Sequence, residues 1–155
     1  MVTQILHASQ WCWRHRLTRV SRILDKLNQI LCSTDIPGKA DIAHNVAFPH
    51  NGLGVVINNE SKISSGCVIN ANVTLGSGFP HDGAPKLGKN VWVGVGAFVG
   101  GGISIADDVV IGANSVVTKS ITESGVIVAG VPAKVLRKLN TQELDKLMWD
   151  EKIKK

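Results

Sequence analysis

Two histidines in this 155-residue chain sit where a proton could be moved: His50, in Pro49-His50-Asn51-Gly52-Leu53-Gly54, and His81, in Gly76-Ser77-Gly78-Phe79-Pro80-His81-Asp82-Gly83-Ala84-Pro85-Lys86. Imidazole titrates near neutrality, so it can take a proton from a hydroxyl and return one to a leaving group. Both segments are rich in turn formers, which places the rings on loops. A zinc site would draw on His44, His50 and His81, but their spacing fits a metal set poorly, and no metal is expected. Cys12, Cys32 and Cys67 are an odd number without metal-type spacing, which favours a reducing compartment. Cys67 is expected in the core.

The elements that must hold these side chains follow from periodicity. Ile36, Ile42 and Phe48 recur every six residues, then Ile57, Ile63, Ile69 and Leu75, then Leu87, Val93, Val99, Ile105, Ile111 and Val117. The next residue is often small, as at Gly76, Gly88, Gly94, Gly100, Ala106 and Gly112. The fourth residue after each is usually small or β-branched, as at Ala40, Val46, Cys67, Val73, Val91, Ala97, Ile103, Val109, Ser115 and Ile121. Neither a 3.6-residue nor a two-residue period gives six, so the repeat belongs to a stacked architecture of short strands and tight corners. Such corners explain 16 glycines. The two departures from six, nine residues from Phe48 to Ile57 and twelve from Leu75 to Leu87, contain His50 and His81. An insertion must bulge from a coil, and chemistry is expected there.

Outside the repeat, residues 4–32 read as an amphipathic helix with Trp13, Leu17, Val20, Leu24, Leu27 and Leu31 on one stripe. It is expected to pack on the body or on a neighbouring subunit; Arg16, Arg19, Arg22 and Lys26, off the stripe, allow the alternative of a peripheral membrane helix. After Val131 a C-terminal helical segment is expected to cap the coil or join subunits, with Asn140 and Glu143 marking a helix start. The organisation is thus 1–34 helical, 35–131 coil and 132–155 helical tail.

Composition agrees. With 44% hydrophobic and 19% charged residues the chain is not disordered, and no apolar run approaches the ~20 residues of a membrane span. The net charge of +5 divides as six Lys/Arg to two Asp/Glu in residues 1–40, four to six in 41–131 and seven to four in 132–155. The body is slightly acidic, which argues against a nucleic-acid-binding face. Arginines at 14, 16, 19 and 22 interrupt any signal-peptide block, so a cytoplasmic location is expected, with the inner face of the membrane as its variant.

The hexads resemble those of the hexapeptide-repeat acyltransferases, and the resemblance implies an all-β solenoid, a left-handed parallel β-helix. Phe48 to Ile57 is similar to the serine acetyltransferase branch around its catalytic histidine: His50, Gly52 or Gly54, Val55, Val56 and Ile57 fit, while Pro49 stands where that branch has Asp. The resemblance implies that His50 is the base and that Asp35, fifteen residues upstream, orients it. It implies a substrate loop set of Pro49, Asn51, His81 and Asp82.

Residues 111–119 and 130–134 resemble the family's coenzyme A segments. They imply main-chain contacts at Gly76, Val95 and Ala113, with Thr118, Lys119, Lys134 and Arg137 near the nucleotide and phosphates of acetyl-CoA. The family's trimers imply a homotrimer with sites between neighbours. The second loop exits through Asp82-Gly83-Ala84-Pro85-Lys86-Leu87, without the Arg and His that the serine enzymes use there. Only about 35 residues precede the first coil. The His-x-Gly-type loop at His50, Val55-Val56-Ile57-Asn58 and the Ala84-Pro85-Lys86-Leu87-Gly88 exit resemble capsule, colanic acid and lipopolysaccharide O-acetyltransferases, and with those absences they imply O-acetylation of a sugar hydroxyl in surface polysaccharide biosynthesis. The alternatives are serine O-acetylation and, in another class, a metal-binding γ-carbonic-anhydrase-like or non-catalytic β-helix subunit.

Overall fold

The six-residue period closes into a three-faced coil in the computed structural model, which describes residues 1–78 and 82–147. One face stacks β1 (Asp41–Ile42), β3 (Lys62–Ile63), β6 (Lys86–Leu87) and β9 (Ser104–Ile105). A second stacks β4 (Val68–Ile69), β7 (Trp92–Val93), β10 (Val110–Ile111) and β12 (Val126–Gly130) and ends on β13 (Ala133–Lys138). The third stacks β2 (Val56–Ile57), β5 (Thr74–Gly76), β8 (Phe98–Gly100) and β11 (Val116–Val117). All pairings are parallel except β12 with β13.

Register puts like on like. Ile42 aligns with Ile63, then Leu87, then Ile105; Ile69 aligns with Val93, Ile111 and Val128; Ile57 aligns with Leu75, Val99 and Val117. All thirteen repeat positions are buried, and so is the small partner set except Ile121, which is half-buried. Each buried aliphatic is worth about 1.5–3 kcal/mol over its exposed state, so the column of side chains is the main cohesive element. Cys67 lies in this column; burial pushes its thiol up to about 12, and Sγ donates to the Gly88 carbonyl at 3.1 Å, which leaves it unsuited to nucleophilic work.

Corners use two devices. Asn72, Asn90, Asp108 and Asn114 adopt φ between 54° and 59°, the left-handed region that short polar side chains tolerate. Gly94 serves close approach instead: a Cβ there would lie 2.6 Å from the Ala113 nitrogen.

The N-terminal segment corrects the single helix expected from residues 4–32. Two helices, α1 (Val2–Arg14) and α2 (Thr18–Cys32), meet at a turn where Arg16 takes φ 62°. Helix α1 plugs the open end of the first coil: Val2 and Leu6 join the core cluster with Cys32 and Ile36. Gln10 Nε2 donates to the carbonyls of Ala40 (3.2 Å) and Ile42 (3.0 Å), acceptors that a coil below would otherwise satisfy. The seam between the helices is polar. Ser9 Oγ lies 2.8 Å from Ser21 Oγ and 2.5 Å from Asp25 Oδ1, which also accepts from the Gly38 amide at 2.9 Å.

The expected stripe does not all face inward, because that seam takes the small polar side of α2. Val20, Leu27 and Leu31 are exposed.

The C-terminal segment is a second correction. Residues 133–138 form β13, not helix, because the antiparallel hairpin with β12 closes the top of the second face. The helix starts where Asn140 and Glu143 place it: the Glu143 amide donates to Asn140 Oδ1 (2.9 Å) and the Asn140 amide to Glu143 Oε2 (3.0 Å), a reciprocal cap for α3 (Thr141–Leu147). Met148 and the Lys152–Lys155 stretch lie outside the described residues.

Candidate active site

The nine-residue step leaves the coil at the corner between the second and third faces. Pro49–Gly52 form two short 3-10 turns joined at a kink, where His50 (φ 55°, ψ 34°) and Asn51 (φ 56°, ψ 29°) both take left-handed backbone. Such conformations cost of order 1–3 kcal/mol for a residue other than glycine and persist only where surroundings impose them. The surroundings here are specific. The loop's exit is fastened to the coil below by Gly54 N to Ser33 O (2.8 Å), Asp35 N to Val55 O (2.8 Å) and Ile57 N to Asp35 O (2.8 Å). The buried Thr34 hydroxyl donates to the Val55 carbonyl at 3.0 Å. The ring of His50 is thereby presented on the outside, exposed, by strained backbone on a rigid base.

Asp35 bridges to Val56, one coil apart, so it starts the third face directly below the strand that follows the His50 loop. Both Asp35 and His50 are exposed, and among the described residues no hydrogen bond or ion pair joins them. Pro49 opens the first 3-10 turn, and Asn51 Oδ1 accepts from the α-amino group of Met1 at 3.4 Å.

The remaining expected site residues divide between two corners. Val95 and Ala113 stand on the His50 corner, in a ladder running Asn72 N to Leu53 O (2.8 Å), Gly96 N to Ala71 O (3.0 Å) and Asn114 N to Val95 O (2.9 Å). Above it the Gly130 amide donates to Ser115 Oγ at 3.2 Å, which sets the β12–β13 hairpin, and with it Lys134, over the same corner. Gly76 is at the far end of the third face, aligned with Gly100, beside the second loop. Asp82 begins that loop's described return, its carbonyl accepting from the Gly102 amide at 3.2 Å. His81 lies outside the described residues. Thr118 and Lys119 follow β11 on this second corner, and Lys119 lines a cavity of about 220 Å3 with Ser120, Ile121, Ala133 and Val135.

One expected phosphate contact is engaged elsewhere. Arg137 grips Glu143 through two bonds of 2.7 Å, and its guanidinium holds the Glu143 carboxyl down at about 2, well below the ordinary carboxylate value, while its own value is raised. It braces β13 against α3. The pairing could have been foreseen from the Asn140/Glu143 cap only if β13 had been recognised as a strand, since the strand is what brings residue 137 alongside.

His44, considered above as a zinc ligand, stacks on His7 with centroids 3.7 Å apart. Burial, then the neighbouring His44 and Arg14, hold His7 below its ordinary value. Among the described residues no three His, Cys, Asp or Glu side chains come together as a metal set.

Comparison with known proteins places this period-six parallel coil in a family. Residues 84–119 match the family described as Bacterial transferase hexapeptide (six repeats). The serine acetyltransferase of Helicobacter pylori (strain J99) is 35% identical over 127 residues, covering 81% of this chain and 73% of that protein. The serine acetyltransferase of Synechococcus elongatus is 35% identical over 130 residues, 83% of this chain but 52% of the relative, so the chain spans about half the length of that relative. The solved serine acetyltransferase of Brucella abortus strain S19, in complex with coenzyme A, superposes with a TM-score of 0.83 at 27% identity, covering 88% of this chain and 55% of that one.

The chain belongs to the hexapeptide-repeat acetyltransferases. Within that family the relatives that establish its membership are serine acetyltransferases.

This corrects the expectation of a polysaccharide O-acetyltransferase. That expectation rested on short motifs in the two loops, Pro49 among them, and on the short N-terminal segment, whereas identity spread over 130 residues places the chain beside the serine enzymes.

Proposed function

We infer that the protein transfers an acetyl group from acetyl-CoA to the hydroxyl of L-serine. The observation that carries this reading is the 35% identity to serine acetyltransferases over four-fifths of the chain, together with the fold shared with one bound to coenzyme A. The likeness also supports a left-handed coil.

His50 supplies the chemistry. Its neutral ring removes the proton from the serine hydroxyl, the oxygen attacks the thioester carbonyl, and the tetrahedral intermediate collapses by expelling the coenzyme A thiolate. The imidazolium then returns the proton to sulfur, giving O-acetylserine and coenzyme A. No acyl-enzyme is required, which accords with the buried, raised thiol of Cys67. Asp35, beneath the loop, is the group suited to stabilising the imidazolium, and Asp82 offers a carboxylate to the serine ammonium. Asn51 and Pro49 frame the approach to His50, and His81 is proposed as a further substrate contact.

The two corners argue for assembly. His50, Val95, Ala113 and Lys134 occupy one, while Gly76, Asp82, Thr118 and Lys119 occupy the other. A homotrimer would set the first corner of one copy against the second corner of the next and complete the acetyl-CoA groove. Lys119 and Lys134 would serve the phosphates from its two walls.

The test is thiol release from acetyl-CoA with and without L-serine, and with homoserine and threonine as controls. Serine-dependent release is expected, falling about a hundredfold or more in His50→Ala while the circular dichroism spectrum is kept. Release that ignores serine overturns the acceptor; release that survives His50→Ala overturns the base.

A further inference from the structure

Helix α2 is built inside out. Its inward side is Ser21, Asn28, Cys32 and the Asp25 carboxylate, whereas Val20, Ile23, Leu27, Ile30 and Leu31 point to solvent at 44, 66, 41, 69 and 52% exposure. Those five fall at steps of three, four, three and one, which is a continuous stripe along one side of a helix. An apolar stripe of this length, left uncovered while polar groups are buried at the seam, marks a surface made to meet something.

The charge beside the stripe says what. Arg19, Arg22 and Lys26 are all exposed on the same helix, with Arg16 at the turn before it and Leu17, 45% exposed, extending the apolar edge. The helix has one acidic residue, Asp25, and its Oδ1 is turned inward, 2.5 Å from Ser9 Oγ and 2.9 Å from the Gly38 amide. The exposed part of α2 therefore carries cations and apolar groups with no exposed carboxylate. Two copies packed stripe to stripe in antiparallel order would bring Arg19, Arg22 and Lys26 of each onto the same side, unrelieved. An anionic bilayer surface satisfies both features: the stripe sinks among the upper acyl segments, and the arginine and lysine heads extend to the lipid phosphates. No described helix is long and apolar enough to cross a membrane, so contact through α2 would be lateral.

We propose that the α2 face formed by Val20, Ile23, Leu27, Ile30 and Leu31, with Arg19, Arg22 and Lys26 at its flank, docks the protein on an anionic lipid surface. The proposal is independent of the acetyl acceptor, because binding is read without substrate.

The test is co-sedimentation of the full chain with vesicles of phosphatidylcholine and phosphatidylglycerol in equal parts, against phosphatidylcholine alone. The anionic vesicles are expected to carry most of the protein down and the zwitterionic ones little, with binding weakened by added salt. The double variant Ile23→Ser/Ile30→Ser and the triple variant Arg19→Gln/Arg22→Gln/Lys26→Gln should each lower the bound fraction several-fold with unchanged helical signal, since all five side chains are exposed. Three results would overturn it: no sedimentation with either vesicle, equal binding by wild type and both variants, or a fall in solution mass on Ile23→Ser/Ile30→Ser. The last would show a second copy on the stripe.

Discussion

His50 and Gly94 show how one residue's backbone sets the protein's behaviour. At His50 the left-handed φ is imposed by a loop fastened to Ser33, Thr34 and Asp35, and the result is an exposed ring on a rigid support. The sequence pointed to this histidine because it broke a period; it could not reveal the strain, which depends on bonds between coils. At Gly94 the demand is steric. A methyl group there would meet the Ala113 nitrogen at 2.6 Å and the Gly112 carbonyl carbon at 2.8 Å, both backbone and unable to rotate away. Gly94→Ala should therefore cost about 1–3 kcal/mol, in the manner of overpacking. Chemical denaturation will check it, and a midpoint equal to that of wild type would refute it. The change sits beside Val95 and Ala113, so the same variant should also weaken acetyl-CoA binding.

Among the elements, the C-terminal hairpin and helix act as a lid on the last coil, and their joint is electrostatic. Glu143 caps α3 through the Asn140 amide and grips Arg137 of β13, which holds its carboxyl at about 2 against an ordinary 4.5. A carboxyl whose value is lower in the folded state contributes stability above the unfolded value and loses it as pH falls toward the folded one. The α3–β13 joint should thus hold from neutrality to about pH 4.5 and loosen progressively between there and about pH 2. Hydrogen exchange of the α3 amides against pH will check this, with Glu143→Gln removing the pH dependence over that window. The N-terminal elements teach a different lesson. A stripe from Trp13 to Leu31 could be read off as one helix, but the chain reverses at Arg16 and turns part of that stripe outward. Nothing in a helical wheel says which side meets the body when both a polar seam and an apolar stripe are on offer.

At the scale of the molecule, the coil is a thin prism whose cohesion comes from one column of aliphatic side chains. Leu53, Val56 and Val95 remain between 43 and 50% exposed along the corner and face that carry the proposed site. That apolar wall, and the division of the expected site residues between two corners, are the grounds on which a trimer is proposed. Light scattering on the purified chain should give three times the 16.5 kDa chain mass. A monomer that still turned over acetyl-CoA with serine would show that one chain suffices. The stacked coil was legible because period six is stringent, and the reaction class came from the resemblance of its motifs to the hexapeptide-repeat acyltransferases; the acceptor was not legible. The missing Arg and His of the second loop suggested a sugar, yet similarity over the whole coil favoured serine, since a few loop residues weigh little against 130 aligned ones.

By itself, then, the sequence determined the coil, its inward column and the two loops, because each is written in spacing along the chain, and its motif around His50 marked the candidate base by resemblance. Only the tertiary structure decided what depends on stacking. It set Asp35 below the strand that follows His50, gave Arg137 to Glu143, folded residues 133–138 as strand and turned the apolar side of α2 to solvent. Those outcomes are set by contacts between residues far apart in sequence, which no local period can encode.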